Sequence, residues 1–532
     1  MNKKEISLYL IFIIIIAIAF FLRFYHLDER VFHHDEAAVG YYTYRLFNDG
    51  TYSYDPAFHG PFMYYATSEI YRHFRDTVYA SRLLPAIFGG AMLFLLIPLR
   101  KYFGTKGMVI SAFFLALSPS FLYYSRFYRE DIFISFFTLM ALVCGVKYAE
   151  QYAHEKYSVL RIFYLFLSAV ALASLAALKE NAYIAMAFIF LFLLLFFIRE
   201  HLYKGLGGRI RRLDKNVVII IAEGLFFILV LLVIFSLYYT GKPLEPNGMK
   251  DAVLKAVSHW YQMHSIQRIA GPMYFYLPIM ALYELPVLVF GFLGIIHYYK
   301  KNNLLMTFLG YWAVMNLIIY SYLQEKVPWL ILNPLLPFAL IAGAYLGELL
   351  SGLKFNSKAG AAVIIFLVAS SSYFVYSSIF LNYYDYTNPA EPLIQAAQPP
   401  QQFSEFLNKI FETSSQYRNQ STDVQVADEG IETQFLWYLR HYHNIKWKVN
   451  IDSDLNAPLI VVEDSDEKHE PDIVQERLGS DYRRLDSAKM SWYWFKLEDI
   501  PHYISPDYLL YRKMNVPPGE ARVTLFYKPK VQ

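Results

Sequence analysis

SLYLIFIIIIAIAFFLRF, residues 7–24, carries a single charge, Arg23, and its reading decides the fold. A helix crosses the hydrocarbon core with about 20 predominantly apolar residues. This run follows Lys3 and Lys4, is longer than a secretory signal core and lacks a small-residue cleavage site, so it reads as a retained first span. Ten more runs near that length follow: 79–99, 108–124, 132–148, 160–178, 182–198, 217–239, 272–298, 304–323, 328–350 and 359–381. The expectation is an α-helical polytopic membrane protein of about eleven transmembrane helices.

Composition agrees. Of 532 residues, 56% are hydrophobic and only 17% charged, and the mean hydropathy is +0.28, too apolar for an ordinary soluble protein. The 47 Tyr and 44 Phe suit aromatic girdles at both interfaces. A net charge of +3 implies no nucleic-acid partner. One cysteine, Cys144, excludes an intramolecular disulfide.

Charge sets the orientation. With the N-terminus cytoplasmic, every inward loop is basic, most strongly 199–215, and the short outward turns are poorer in Lys and Arg. An odd span count then places the C-terminus outside. The domain reading is a membrane domain over 1–385 with a first outward loop at 25–78, a Pro/Gln/Ala-rich linker at 386–402, and an extracytoplasmic domain at 403–532. In the last, 423–427 reads as a strand, 433–442 as a helix, 445–449 as a strand, and 458–462 as a buried strand ending at Glu463-Asp464. These predict a small α/β domain. No internal repeat, Walker motif or dinucleotide glycine pattern is present.

Two polar clusters fall where the chain leaves the membrane on its outer side. The first is His33-His34-Asp35-Glu36. Asp35 and Glu36 are adjacent and point in different directions, so one can serve as general base while the other orients a ligand. Alternatively, Asp35 caps a short interfacial helix. His33, His34 and His59, in Phe58-His59-Gly60-Pro61, allow zinc or manganese, but their spacing matches no established signature. Hydrogen bonding to the loop or to a phosphate is the favoured reading, with no cofactor required. The second cluster is Arg126-Phe-Tyr-Arg129-Glu130-Asp131. Arg126, Arg129 and Glu130 share a face if the fourth helix starts early, and arginine holds phosphate through bidentate hydrogen bonds. The alternative is snorkelling to headgroups. Lys179-Glu180 and Glu325-Lys326 are outward turns, either local salt bridges or further cations around the same phosphate. Glu284, inside an apolar run, is a functional candidate by position, unless Pro278 and Pro286 break that run. In the tail, Trp437, Tyr438, Tyr442, Trp447, Trp492 and Trp494 either stack on sugar rings or form the core.

Taken together, His34-Asp35-Glu36, His59-Gly60-Pro61, Ser125-Arg126-Phe127 through Asp131, Leu178-Lys179-Glu180, Gln324-Glu325-Lys326-Val327-Pro328-Trp329-Leu330 and Pro389-Ala390-Glu391-Pro392-Leu393 resemble the GT-C superfamily of polyprenyl-phosphate-sugar glycosyltransferases. The resemblance is to the protein mannosyltransferase-like branch, and most closely to the archaeal flippase-activity-associated membrane proteins of protein glycosylation. It covers about residues 1–393. It implies a hexosyltransferase whose donor is a sugar on a polyprenyl (dolichyl-type) phosphate and whose acceptor is a lipid-linked glycan or a protein at the outer face. In that scheme Asp35 removes the acceptor proton, with Glu36 and Asp131 as the other catalytic acids. Arg126, Arg129 and Lys326, with Lys179, hold the phosphate, and His34, His59 and Glu325 complete the substrate contacts. Two rivals are a non-catalytic partner that binds or helps flip lipid-linked glycans, and a transporter. The lack of repeat halves and the clustering of polar groups at one face rather than the midplane count against the transporter.

Overall fold

The computed structural model describes residues 3–153, 158–180, 182–204, 214–266, 271–301, 303–323, 325–354, 357–394, 397–427, 433–464, 469–492, 496–514 and 519–530. Gln324, Trp494 and most of the basic 199–215 loop lie outside them. The chain groups into two units: residues 1–25, 51–69 and 82–382, and residues 26–50, 70–81 and 383–532.

The first unit is a bundle of apolar helices, and the protein is a multi-pass membrane protein. Eight described helices are long and apolar enough to cross a membrane, and ten spans result if each of two bent pairs counts as one. The expected eleven is not confirmed among the described residues. Two runs that look continuous in sequence are broken. Arg100–Leu117 and Pro119–Ser125 meet at 57°, and Tyr276–Tyr283 and Leu285–Tyr299 at 113°. Pro119 and Pro286 open the second helix of each pair, where a missing N–H costs nothing. The sixth run falls on the 23-residue helix Ala182–Lys204.

Pro328–Gly352 is the central span, 89% buried along its most apolar window, against 11% for Lys3–Phe24. It reaches that position through small residues. A Cβ on Gly343 would lie 2.1 Å from Ser111 Oγ of Arg100–Leu117, so glycine is what lets these two helices close.

The second unit holds a five-stranded sheet in the order β2-β1-β3-β5-β4: β1 (Val424–Ala427), β2 (Ile445–Lys446), β3 (Leu459–Asp464), β4 (Arg483–Trp492) and β5 (Gly519–Tyr527). β1 is parallel to β2 and β3, while β5 is antiparallel to β3 and β4. Leu459–Val462 is buried throughout, as a central strand covered on both faces should be. Phe406, Ile410 and Phe435 cover one face with Leu459 and Val461, and Ile460, Val462 and Val474 fill the other. The predicted helix 433–442 stops at Tyr438, and the predicted strand 445–449 shrinks to two residues.

The helix His34–Asp49 belongs to this second unit. Phe32 N donates to Tyr438 Oη at 2.9 Å, and the Phe32 ring lies 5.0 Å from that of Trp437. A Cβ on Gly40 would lie 2.9 Å from Trp437.

Candidate functional site

In the membrane unit, the segment 55–61 turns back onto the end of the helix Val159–Ala176. Gly60 N donates to Leu178 O at 2.7 Å and Phe62 N to Ala177 O at 2.9 Å. The approach is so close that a Cβ on Gly60 would sit 2.3 Å from Ala177 O. His59 adopts φ 66°, a conformation a non-glycine residue takes only when its surroundings hold it there.

Its surroundings do. His59 Nε2 lies 3.1 Å from Arg129 Nη2, and its Nδ1 lies 3.3 Å from Glu180 Oε2. A guanidinium can only donate. Nε2 must therefore accept, so Nδ1 carries the proton and donates to Glu180. Burial pushes the Glu180 carboxyl up most strongly, but the hydrogen bond and charge of His59, a backbone hydrogen bond and the charge of Lys179 together hold the group below its ordinary value. Arg129 also stacks on Trp329, its Cζ 4.2 Å from the ring centroid. Lys179 Nζ approaches the same ring at 5.8 Å. Arg129 and Lys179 are 8% and 7% exposed. Two cations from different loops thus meet at one indole, a favourable arrangement for positive charge over a π face.

Glu130 and Asp131 complete this cluster. They are 0% and 3% exposed. Their oxygens make no hydrogen bond to a described residue. Their nearest charge is Arg129 Nε, at 3.8 and 4.0 Å. Buried carboxylates in that condition are costly. Among the described residues no three His, Cys, Asp or Glu side chains gather as a metal site, so the two acids alone offer too few ligands for a hard cation.

The neighbouring cations face elsewhere. The Arg126–Glu130 stretch is a turn between helices, so its side chains do not share the helical face expected. Arg126 Nη1 donates to the carbonyls of Leu22, Arg23 and Tyr25 at 2.8, 3.2 and 2.7 Å, closing the C-terminal end of the first helix. Lys326 does the same for Leu304–Tyr322, donating to Tyr320 O at 3.0 Å and to the carbonyls of Ser321 and Leu323. Burial brings its ammonium down to about 8. Neither turn makes its local ion pair: Glu180 pairs with His59, and Glu325 is exposed while Lys326 is buried. Glu284 sits in the 113° break, fully buried, and accepts from Ser118 Oγ at 2.6 Å and Ser120 N at 3.0 Å. It accepts at the N-terminus of Pro119–Ser125, and it joins the two broken spans.

The other unit carries His33–Glu36. The cap of His34–Asp49 is His33, not Asp35: His33 Nδ1 accepts from Asp35 N at 3.1 Å, and Glu36 Oε2 accepts from His33 N at 3.1 Å. This is a capping box with a histidine in the usual Ser/Thr position. Arg30 Nη2 reaches the same Glu36 oxygen at 3.2 Å. Glu36 is fully buried, whereas Asp35 and His34 are partly exposed. His34 Nε2 lies 3.3 Å from Thr433 Oγ1. The roles of Trp329 and Glu180 were not assigned from sequence. The Lys-Val-Pro-Trp motif and the Lys179-Glu180 pair marked their positions, but not that one would stack cations and the other hold His59.

Residues 50–242 match the family "Dolichyl-phosphate-mannose-protein mannosyltransferase". No curated protein matches the sequence. Among solved structures, ArnT from Cupriavidus metallidurans bound to undecaprenyl phosphate aligns over 97% of this chain and 97% of that one, at TM-score 0.55 and 14% identity. The oligosaccharyltransferase AglB from Archaeoglobus fulgidus, in complex with an inhibitory peptide and a dolichol-phosphate, aligns over 91% and 70%, at TM-score 0.55 and 16% identity. At such identities the likeness is one of fold, and the fold is that of the GT-C polyprenyl-phosphate-sugar glycosyltransferases.

Proposed function

We propose that this chain is a membrane glycosyltransferase. It moves a sugar from a polyprenyl (dolichyl-type) phosphate to a lipid-linked glycan or protein acceptor at the outer face, with inversion. The N-terminus is cytoplasmic and the sheet domain lies outside. The observation that supports this reading most is the convergence of Arg129 and Lys179 on Trp329, with His59 bridging Arg129 to Glu180. These are fixed cations in a buried setting, suited to the charge that grows on a departing phosphate.

The acceptor oxygen attacks the anomeric carbon as the bond from that carbon to the phosphate oxygen breaks. The electron pair leaves with the lipid phosphate, and the acceptor proton passes to Asp35. Arg129 and Lys179 take the phosphate charge. Glu130 and Asp131, which accept no hydrogen bond from a described residue, receive hydroxyls of the transferred sugar. Arg126 and Lys326 act one step back, by fixing the helix ends from which the cluster hangs. No cofactor enters the scheme.

The test is transfer in vitro from a polyprenyl-phosphate sugar by purified wild type and Asp35→Asn, alongside mass spectrometry of lipid- and protein-linked glycans from cells with and without the chain. A glycan shortened by one sugar in the deletion, with no transfer by Asp35→Asn, supports the reading. Full activity in Asp35→Asn removes the base. Full-length lipid-linked glycan stranded on the cytoplasmic side makes the chain a flipping partner instead.

A further inference from the structure

The sheet-bearing unit contains an open pocket of about 670 Å³, apart from the acid clusters above. That volume lies within the roughly 300–1,000 Å³ typical of small-ligand sites. Its lining divides into two chemistries: the rings of Phe411, Tyr438 and Tyr442, with Trp437 buried under Arg440, and the polar heads of Asn419, Gln420, Arg440 and His441.

The aromatic and cationic part is held rigid. Tyr442 Oη lies 2.7 Å from Ser414 Oγ, and Tyr438 Oη accepts from Phe32 N. Arg440 stacks on Trp437 at 3.7 Å and donates to Asp76 Oδ2 at 2.7 Å. His441 Nε2 reaches the same oxygen at 2.8 Å. Ordering of these side chains is complete on folding, which lowers the cost of binding. The amide part is the opposite. Asn419 and Gln420 stand on a short 3-10 turn that Asn419 enters at φ 53°, a conformation asparagine tolerates. Both side chains are exposed, and neither makes a hydrogen bond to a described residue.

Rigid rings beside unengaged amides suit a ligand with apolar C–H faces and a rim of hydroxyls. Arg440 is already matched by Asp76, so the pocket does not call for an anion, and a purely apolar ligand would desolvate the amides without return. We propose that this pocket binds a neutral sugar unit of a glycan, its ring against the aromatic wall and its hydroxyls on Asn419 and Gln420. Only the identification of that glycan as the acceptor rests on the transferase reading.

The experiment uses the full-length chain in a detergent without a sugar headgroup. The probes are mannobiose, cellobiose and diacetylchitobiose, with an uncharged tetrapeptide as control, read by saturation-transfer NMR and tryptophan fluorescence. The variant is N419G/Q420A, which keeps the positive φ and alters only exposed side chains. The expected result is binding of at least one disaccharide but not the peptide, weakened about tenfold or more in the variant, with an unchanged melting temperature. No disaccharide binding, equal binding by the variant, or preference for the peptide overturns the proposal. Loss of transfer in Asp35→Asn does not bear on it. If the chain proves inactive as a transferase yet binds the disaccharide, the pocket stands and only the acceptor label falls.

Discussion

The corner Arg30–Glu36 and the turn Arg126–Asp131 contain the same chemistry, arginine beside two adjacent acids, and deploy it in opposite ways. In the first, Glu36 takes a backbone N–H and a guanidinium on one oxygen and vanishes into a helix cap. In the second, both acids are buried and accept no hydrogen bond from a described residue, while one arginine closes a helix and the other faces an indole and a histidine. The lesson is that residue type announces chemistry, but saturation of hydrogen bonds decides between scaffold and site. Each cluster divides: Glu36 and Arg126 bind backbone and hold the fold, whereas Asp35 is partly exposed and Arg129 faces Trp329 and His59.

That division is breakable by mutation. Asp35→Asn should lower the transfer rate by about 10²–10⁴-fold, the span of a lost general base, with thermal unfolding unchanged; a parallel loss of stability would move Asp35 to the scaffold side. Within the second turn, Arg129→Ala should reduce turnover about 100-fold. Arg126→Ala should show mainly as a lower melting temperature, because its three carbonyl partners lose their donor. If the two variants behave alike in both assays, the turn is not divided. Glu36→Gln leaves the buried Arg30 without its carboxylate and weakens the capping box. It should destabilise the sheet-bearing unit by about 3 kcal/mol, read by chemical unfolding, with residual activity following the folded fraction.

The smallest effect concerns a third acid pair, Asp385 with Glu391. Glu391 accepts from Tyr508 Oη at 2.8 Å and faces Arg512 at 3.7 Å. Asp385 is held up to about 7 by burial and by the charge of Glu391. Its folded form therefore favours the proton. The stability it gives is full below the ordinary Asp range near 4 and is lost as pH rises through about 7. Asp385→Asn should flatten the unfolding profile over that window and leave the variant the more stable at pH 8. An unchanged profile would place Asp385 outside the pair.

Much of the membrane unit was legible because apolar length is a local signal. The two bent pairs were not, since Glu284 reads as an isolated acid in an apolar run until Ser118 and Ser120, more than 160 residues away, are seen to bond it. In the sheet, β1 and β3 showed as Val/Ile/Leu runs. β4 did not, because Arg483–Trp492 alternates charged and small residues with few apolar ones, and its partner β5 opens on Gly and Glu. Of the site, the cations were visible and their partners were not. Nothing in Trp329 alone says that Arg129 and Lys179 converge on it, and nothing in Phe32 says that Tyr438 and Trp437 complete its surroundings.

The association of His34–Asp49 with the tail carries a consequence for biosynthesis. A nascent chain inserts its helices in order and has finished the bundle before residue 433 leaves the ribosome. Until then Phe32 and Gly40 lack the aromatic residues they lean on. A product terminated before residue 433 therefore lacks the contacts that hold the segment bearing the proposed acid.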